Sequence, residues 1–337
     1  MIKTALIGFG MSGKTIHFPL IHAHDGFTLK TVVSRSEDTA SYLEAHGSNA
    51  TLTKNYEDVL ADDTIDLVVL CVPNELHADF TEKAIRSGKH ITIEKPFVKT
   101  YKEAKALFDL AKEKDVVLRV FHNRRFDGDF MTVKDILKHD SLGEILSLSA
   151  RFDRFRVNPK AGWRTQEGLM SGVFFDLGPH LFHYTVSLFG RPKKVTCDLI
   201  TDHKDLSTDD HFEATLHYDT LRVYLGAEQF ARRPLPKFHI KGLKASYIKE
   251  GFDHPEFVYT PPNNPYQEGL VSYTLDNTLN KRDVQVRQSA HYQWYTVLEE
   301  DINNTRLETE ESSIALEVIR TMEEALESHH KRNLISS

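Results

Sequence analysis

Ile2, Ala5, Leu6 and Ile7 make a short apolar run that breaks into Gly8-Phe9-Gly10-Met11-Ser12-Gly13, and a helix-like stretch follows from Lys14. Gly-x-Gly-x-x-Gly constrains a chain strongly when it stands after a strand and before a helix. The first glycine allows the tight turn, the second lets the backbone approach a pyrophosphate, and the third lets helix and strand pack closely. The free N–H groups and the positive dipole end of the helix then face the phosphates. Glycine clusters alone mostly mark turns. In this setting the pattern implies dinucleotide binding by the loop from Gly8 through Phe9, Gly10, Met11 and Ser12 to Gly13.

Strand and helix signals alternate through the first 120 residues. Strands are expected over 27–33, 51–53, 66–72, 90–93 and 116–120, and helices over 39–46, 56–60, 76–87 and 100–114. The apolar run ending at Val72 suits a central parallel strand covered on both faces. Gly88 suits the C′ position of a helix, and Ala104, Leu107, Phe108 and Ala111 share one helical face. This rhythm implies an α/β fold with a Rossmann-type, doubly wound parallel sheet over residues 1–121.

Beyond residue 121 the pattern changes. A helix is expected over 129–138, and Ile145 to Phe155 alternates at period two. Further strands are expected over 194–201, 212–218, 221–228 and 237–240, with Tyr218-Asp219-Thr220-Leu221 as a hairpin turn. The short polar connections imply a second, α+β domain over residues 122–337 with a mostly antiparallel sheet. Pro255 to Tyr266, with four prolines, reads as a loop. A last helix over about 311–329 carries Ile314, Val318, Met322 and Ala325 at helical spacing, with Thr309 or Ser312 as its cap. The outer face of the sheet retains Tyr218 and Tyr224, and exposed sheets of that kind tend to find partners, so a homo-oligomer is expected.

At 337 residues the chain is long enough for two domains. No apolar run approaches the roughly 20 residues that a bilayer span needs, so no membrane association is expected. With the first strand expected from Ile2, no signal peptide is expected. Cys71 and Cys197 are not paired as C-x-x-C, which argues against a disulfide framework or a cysteine zinc site. Cys71 reads as a small buried apolar residue, and His329-His330 as a solvated tail. These features point to the cytoplasm. A net charge of −7 without a basic stripe argues against a nucleic-acid partner.

Three further clusters carry chemistry. Ser34 and Arg35 stand at the end of the second strand, about 20 residues past the glycines, where a fold that prefers NAD usually has an acid holding the ribose hydroxyls. An acid repels a 2′-phosphate whereas Arg and Ser bind it, so NADP(H) is favoured, with NAD(H) second. Glu94-Lys95-Pro96 closes the strand over 90–93, at the carboxyl end where open α/β sheets bind ligands. Lys95 there can polarise a substrate oxygen, although a surface Lys-Glu pair before a turn proline is the plainer explanation of that motif alone. Asp176-Leu177-Gly178-Pro179-His180-Leu181-Phe182-His183 lies in an apolar stretch. A continuous helix places Asp176 and His180 on one face, where a carboxylate fixes the imidazole tautomer and suits it to act as a general base. Gly178-Pro179 can break that helix, and a core histidine is the alternative. Asp176, His180 and His183 offer three metal ligands, but no fourth is suggested by spacing, and no metal is expected. His122-Asn123-Arg124-Arg125-Phe126-Asp127 at the domain crossover is dense in donors, suiting either an active-site lining or an exposed linker. Trp163-Arg164 offers a stacking face and a forked donor for a polyhydroxylated ligand.

Together these motifs resemble the glucose–fructose oxidoreductase, inositol dehydrogenase and rhizopine catabolism family (Gfo/Idh/MocA). The likeness runs along nearly the whole chain, from Gly8-Phe9-Gly10 through Glu94-Lys95-Pro96 and His122-Asn123-Arg124-Arg125-Phe126 to Asp176-Leu177-Gly178-Pro179-His180. With Trp163-Arg164 and an early His17, it is similar to the branch of NADP-dependent scyllo-inositol dehydrogenases. The resemblance implies a Rossmann domain, a C-terminal α/β domain with a large open sheet, and assembly through that sheet as a homodimer or homotetramer. It implies that Lys95 is the catalytic lysine, that Asp176 orients the site and that His180 is the acid/base. It also places Pro73, Asn74 and His77 along the cofactor and Glu94 near the nicotinamide ribose. His122, Asn123, Arg124, Trp163, Arg164 and His183 are then expected to meet a sugar or polyol substrate. His183 departs from the family, many members of which have Asp there, and this puts substrate identity in doubt more than chemistry. A nonredox nucleotide sensor and an oxidation–elimination glycosidase are the rival functions that the resemblance leaves open.

Overall fold

The first of two compact units, Met1–Phe121 with Tyr292–Leu316, is built on six parallel strands. They are β1 (Ile2–Ile7), β2 (Phe27–Val33), β3 (Thr51–Thr53), β4 (Leu67–Leu70), β5 (His90–Ile93) and β6 (Leu118–Val120). The computed structural model describes residues 1–139, 141–156, 162, 164–168, 170–251, 268–275 and 278–336. Every residue of β4 is buried, as both faces of a parallel strand require when helices cover them. Those helices include α1 (Phe18–His22), α2 (Thr39–Ala45), α3 (Tyr56–Leu60), α4 (His77–Arg86) and α5 (Tyr101–Glu113). Asn55 caps α3 through the Glu57 N–H, and Thr100 caps α5 through the Glu103 N–H.

The strand order is β3-β2-β1-β4-β5-β6. The chain leaves β1 to one side for β2 and β3, then crosses to the other for β4, so the order reverses between β1 and β4. That reversal is the crevice where sheets of this kind take ligands. Helical conformation begins at Met11, earlier than expected, and Gly13–His17 form a π-helical turn before α1. Pro19 has no N–H to return to the preceding turn, which loosens the ladder there.

The second unit, His122–His291 with Glu317–Ser337, begins with α6 (Gly128–Lys138) and α7 (Gly172–Phe189) around an eight-stranded sheet. Its strands are β7 (Ile145–Arg151), β8 (Lys194–Ile200), β9 (His211–His217), β10 (Arg222–Glu228), β11 (Phe238–Gly242), β12 (Ala245–Lys249), β13 (Glu268–Leu275) and β14 (Thr278–Gln285). The order is β14-β13-β12-β11-β7-β10-β9-β8, with β7 and β10 parallel and every other neighbour antiparallel. Along β9 every second residue is buried, and that face meets α7: Phe174 packs edge-on to Phe212 and Tyr184 lies 5.6 Å from Phe238. The hairpin expected at Tyr218–Leu221 joins β9 to β10.

Three strands escaped the sequence pattern. In β12 the buried residues are Ala245, Tyr247 and Lys249, while Ile248 faces outward. A buried lysine and an outward isoleucine invert the usual alternation. The edge strand β14 is mostly polar and charged, as edges usually are. The expected loop from Pro255 to Tyr266 lies outside the described residues. The sheet face away from α7 carries Tyr224, Ser149, His239, Ile248 and Leu270 in one row across five strands. Tyr218 does not belong to it. Its hydroxyl donates to the Gly190 carbonyl and its ring packs on Phe189 at the end of α7.

The C-terminal segment carries α8 (Gln293–Asn303) and α9 (Glu310–Ser336). Residues 292–316 pack with the first unit, and the cause is buried Arg119 in β6. Its guanidinium donates to Asp301, to the Leu307 and Arg306 carbonyls and to Ser312, while Trp294 stands edge-on to Phe121. Thr309 caps α9 through the Ser312 N–H. His329 is half-buried rather than a solvated tail, its ring accepting from the Leu199 N–H. Among the described residues no helix is long and apolar enough to cross a membrane.

Candidate active site

At the end of β1, Gly8 has φ +94°, and a Cβ there would stand 2.3 Å from the Cys71 carbonyl oxygen after β4. A Cβ on Gly13 would stand 2.2 Å from the Gly8 carbonyl oxygen. The first and third glycines thus allow a backbone contact that no side chain permits. Gly10 is different: nothing lies within 4 Å of where its Cβ would be. That open backbone at the start of a helix fits the pyrophosphate of a dinucleotide. Met11 beside it is exposed, whereas Phe9 turns inward against Phe18 and Tyr42. Cys71 is partly accessible rather than fully buried.

Glu94, at the end of β5, accepts from the Ser12 hydroxyl and lies 3.2 Å from His17 Nε2. His17 is fully buried, and its Nδ1 meets the Tyr295 hydroxyl at 2.7 Å. Burial pushes Glu94 up, but the bond to His17 and the charges of His17 and Lys95 hold it below the usual carboxylate range. Glu94 Oε2 also accepts the Lys95 backbone N–H, and Lys95 itself is half-buried. Pro73 is exposed and Asn74 half-buried in the turn after β4. His77 is buried, its ring nitrogens against the carbonyls of Val72 and Pro96, and burial pushes its pKa down. Its ring therefore sits between the β4 and β5 turns, where its neutral form donates one N–H. After β2, the Ser34 hydroxyl is buried against Thr39 and accepts from the Ser36 N–H, while Arg35 is exposed.

In the second unit His122, Asn123 and Arg124 are all buried. Arg124 donates to Asp127 at 2.9 Å and lies over the ring of Phe152. Asp127 also accepts from the Tyr184 hydroxyl, meets His291 Nε2 at 2.7 Å and stands 3.2 Å from Lys237. Burial pushes Asp127 up, but Arg124, Lys237 and His291 hold it well below the carboxylate range. Nothing in the sequence marked Lys237 or His291 as its partners, since each lies more than a hundred residues away.

The helix α7 runs unbroken through Gly178 and Pro179, so Asp176 and His180 do share a face. A Cβ on Gly178 would stand 3.4 Å from Met322 of α9. The Asp176 carboxylate takes both arms of the Arg164 fork, at 2.6 and 3.0 Å. His180 is buried beside Phe152, and His183 stacks on His122 at 4.5 Å. The structure therefore gathers Arg164 with Asp176, and His122 with His183, while Trp163 lies outside the described residues. Asp209 was not anticipated. Its carboxylate caps α7 by accepting the Phe174 N–H at 2.6 Å, and a Cβ on Gly172 would strike it.

A Rossmann sheet with a glycine turn at its reversal point is the architecture of a dinucleotide-binding domain. Residues 2–122 match the family model described as "Oxidoreductase family, NAD-binding Rossmann fold", and residues 130–248 match the GFO/IDH/MocA C-terminal domain. The chain belongs to the Gfo/Idh/MocA oxidoreductase family and is an enzyme of that class. It is 38% identical over 255 residues to the uncharacterized oxidoreductase YdgJ of Escherichia coli, covering 76% of this chain and 73% of that one. It is 30% identical to the scyllo-inositol 2-dehydrogenase (NADP(+)) IolW of Bacillus subtilis, over 99% of this chain and 95% of that one. The solved structure of the putative oxidoreductase yvaA from Bacillus subtilis superposes with a TM-score of 0.90 at 29% identity, covering 98% and 97% of the two chains.

Burial raises Asp209 from 3.8 to about 6. A carboxylate raised on folding is better tolerated protonated, so its contribution to stability falls as pH rises from about 4 to about 6 and is constant above. Asp209→Asn keeps an acceptor for Phe174 and removes the charge. The variant should gain on the parent across that window, by at most about 3 kcal/mol. Melting both proteins from pH 4 to 8 checks this, and a constant difference in midpoint contradicts it.

Proposed function

We propose that this enzyme is an NADP(H)-dependent oxidoreductase that moves a hydride between the nicotinamide ring and a hydroxyl-bearing carbon of a sugar, inositol or related polyol. The observation that carries the cofactor preference is Ser34-Arg35 at the end of β2, where an acid would repel a 2′-phosphate. The NADP dependence named for IolW supports it. The substrate class is supported by the same relative and by the donors Asn123 and Arg164.

The nicotinamide, when bound, accepts or returns the hydride. The loop Gly8–Gly13 holds the pyrophosphate through backbone N–H groups, and Glu94, anchored by Ser12 and His17, accepts a ribose hydroxyl. Pro73 and Asn74 line the same cofactor. The Lys95 ammonium stabilises negative charge developing on the substrate oxygen. The His180 imidazole takes the hydroxyl proton during oxidation and gives it back during reduction. Asp176, held rigid by Arg164, sets the direction of the site, and His122, Asn123 and His183 meet the remaining hydroxyls, whereas Arg124, expected beside them, is enclosed with Asp127.

Arg35→Ala should weaken NADP(H) binding roughly ten- to a hundredfold and leave NAD(H) nearly unchanged. Fluorescence titration with both nucleotides reads the difference, and equal losses would remove the assignment. Lys95→Ala and His180→Ala should each lower turnover by on the order of 10²–10⁴ and change nucleotide affinity only a few-fold. A folded His180→Ala protein with near-normal turnover would end the acid/base role. We also propose assembly through the sheet face that carries Tyr224, Ile248 and Leu270, as a homodimer or homotetramer. Light scattering should give two or four times 38.6 kDa, and a mass equal to the single chain refutes it.

A further inference from the structure

His17 closes the π-helical turn that follows the glycine loop, and its ring has no exposed surface. It packs against Phe121, just after β6, with the ring centroids 4.2 Å apart. A buried imidazole needs a partner for each nitrogen. Nδ1 meets the Tyr295 hydroxyl at 2.7 Å, and Nε2 meets Glu94 Oε1 at 3.2 Å. Tyr295 belongs to α8, far along the chain, yet all three side chains lie within the first unit.

Donor and acceptor roles follow from what each end of this chain can do. An ionised carboxylate only accepts, so Nε2 carries the hydrogen of its contact with Glu94. The Tyr295 hydroxyl is buried, and His17 Nδ1 is its one hydrogen-bond partner among the described residues. Its hydrogen goes to Nδ1, the acceptor of a neutral ring whose Nε2 donates. Tyr295 thus selects the tautomer that serves Glu94. The carboxylate is fixed mainly on one side, where Oε1 takes His17 and the Ser12 hydroxyl. Oε2 takes the Lys95 backbone N–H at 3.2 Å and no other donor among the described residues. The Glu94 side chain keeps 13% of its surface exposed, so a ligand can reach it. A carboxylate oxygen accepts about two hydrogen bonds, which leaves Oε2 one place.

We propose that His17 and Tyr295 are positioning residues for the dinucleotide. They hold Glu94 so that Oε2 is the oxygen left to accept a ribose hydroxyl of the nicotinamide half. They set affinity for that half and do not act on the adenine half. The strand order supports this separation: β5, which ends at Glu94, and β2, which ends at Ser34 and Arg35, lie on opposite sides of β1. The proposal rests on the dinucleotide reading of the glycine loop and is independent of the choice between NADP(H) and NAD(H).

Calorimetric titration of the full chain with NADPH and with 2′,5′-ADP, which has the adenine half but no nicotinamide ribose, tests the assignment. His17→Leu should weaken NADPH by roughly tenfold or more and leave 2′,5′-ADP within twofold of the parent. His17→Gln, whose side-chain amide can still donate to Glu94, should recover part of the loss. Tyr295→Phe, which removes only the hydroxyl, should weaken NADPH by roughly three- to tenfold and leave 2′,5′-ADP unchanged. Equal losses for both ligands assign His17 a merely structural role and overturn the proposal. So does NADPH affinity unchanged in His17→Leu, or His17→Gln no better than His17→Leu. If His17→Leu does not fold, Tyr295→Phe decides, and unchanged NADPH affinity there overturns the proposal. Titration of the parent separates this proposal from the reading beneath it. A parent that prefers NADH removes the NADP(H) assignment, and the same variants are then read with NADH and ADP. A parent that binds neither dinucleotide removes the dinucleotide reading and the proposal with it.

Discussion

The Lys237 side chain has no exposed surface, so its ammonium must be met by carboxylates inside the protein. Asp127 and Asp129 supply them at 3.2 and 2.5 Å, with Phe152 and Phe238 around it. Asp127 answers in turn to Arg124, Tyr184 and His291. Removing one partner from a buried cluster of this kind strands the others, at a cost of about 3–5 kcal/mol. The arrangement therefore forms as a whole. It ties the turn after β6, the start of α6, the approach to β11 and the middle of α7 to one point, and α7 carries Asp176, His180 and His183. The positions of the second unit's chemistry follow from where these charges can be neutralised.

The first unit is organised by backbone proximity instead. Gly8 and Gly13 let the turn after β1 press on the turn after β4, and the buried His77 ring packs between that second turn and the end of β5. Glu94 then links Ser12 of the glycine loop to His17 and Tyr295. Phosphate loop, strand end and C-terminal helix thus share one hydrogen-bond chain. A carboxylate held in its charged form in such a place is a fixed acceptor, and burial pushes the nearby Tyr295 hydroxyl further above its ordinary range.

Electrostatics distinguishes two kinds of arginine in the second unit. Arg124 is enclosed with its counter-charge and serves the architecture around Asp127. Arg154, Arg156 and Arg164 line a pocket together with Asp176, Asp209 and Asp210, and Arg164 is paired there with Asp176. The first arrangement closes a core, and the second sets three arginines and three aspartates around a pocket.

The doubly wound sheet was legible because buried parallel strands must be continuously apolar and because only glycine fits at Gly8 and Gly13. The shared face of Asp176 and His180 was legible from helical spacing, although Pro179 left its continuity open. Burial in a packed interior kept α7 whole. The sequence could not pair residues that meet only across the fold: Tyr295 with His17, Arg119 with Asp301, Lys237 with Asp127, or Asp209 with the start of α7. It also hid β12, where Lys249 is buried and Ile248 is not. Local sequence determined the elements and the motifs at their ends, because propensity, periodicity and turn chemistry act over a few residues. Tertiary structure alone decided which charges are buried together, because desolvation depends on every element that closes over a group.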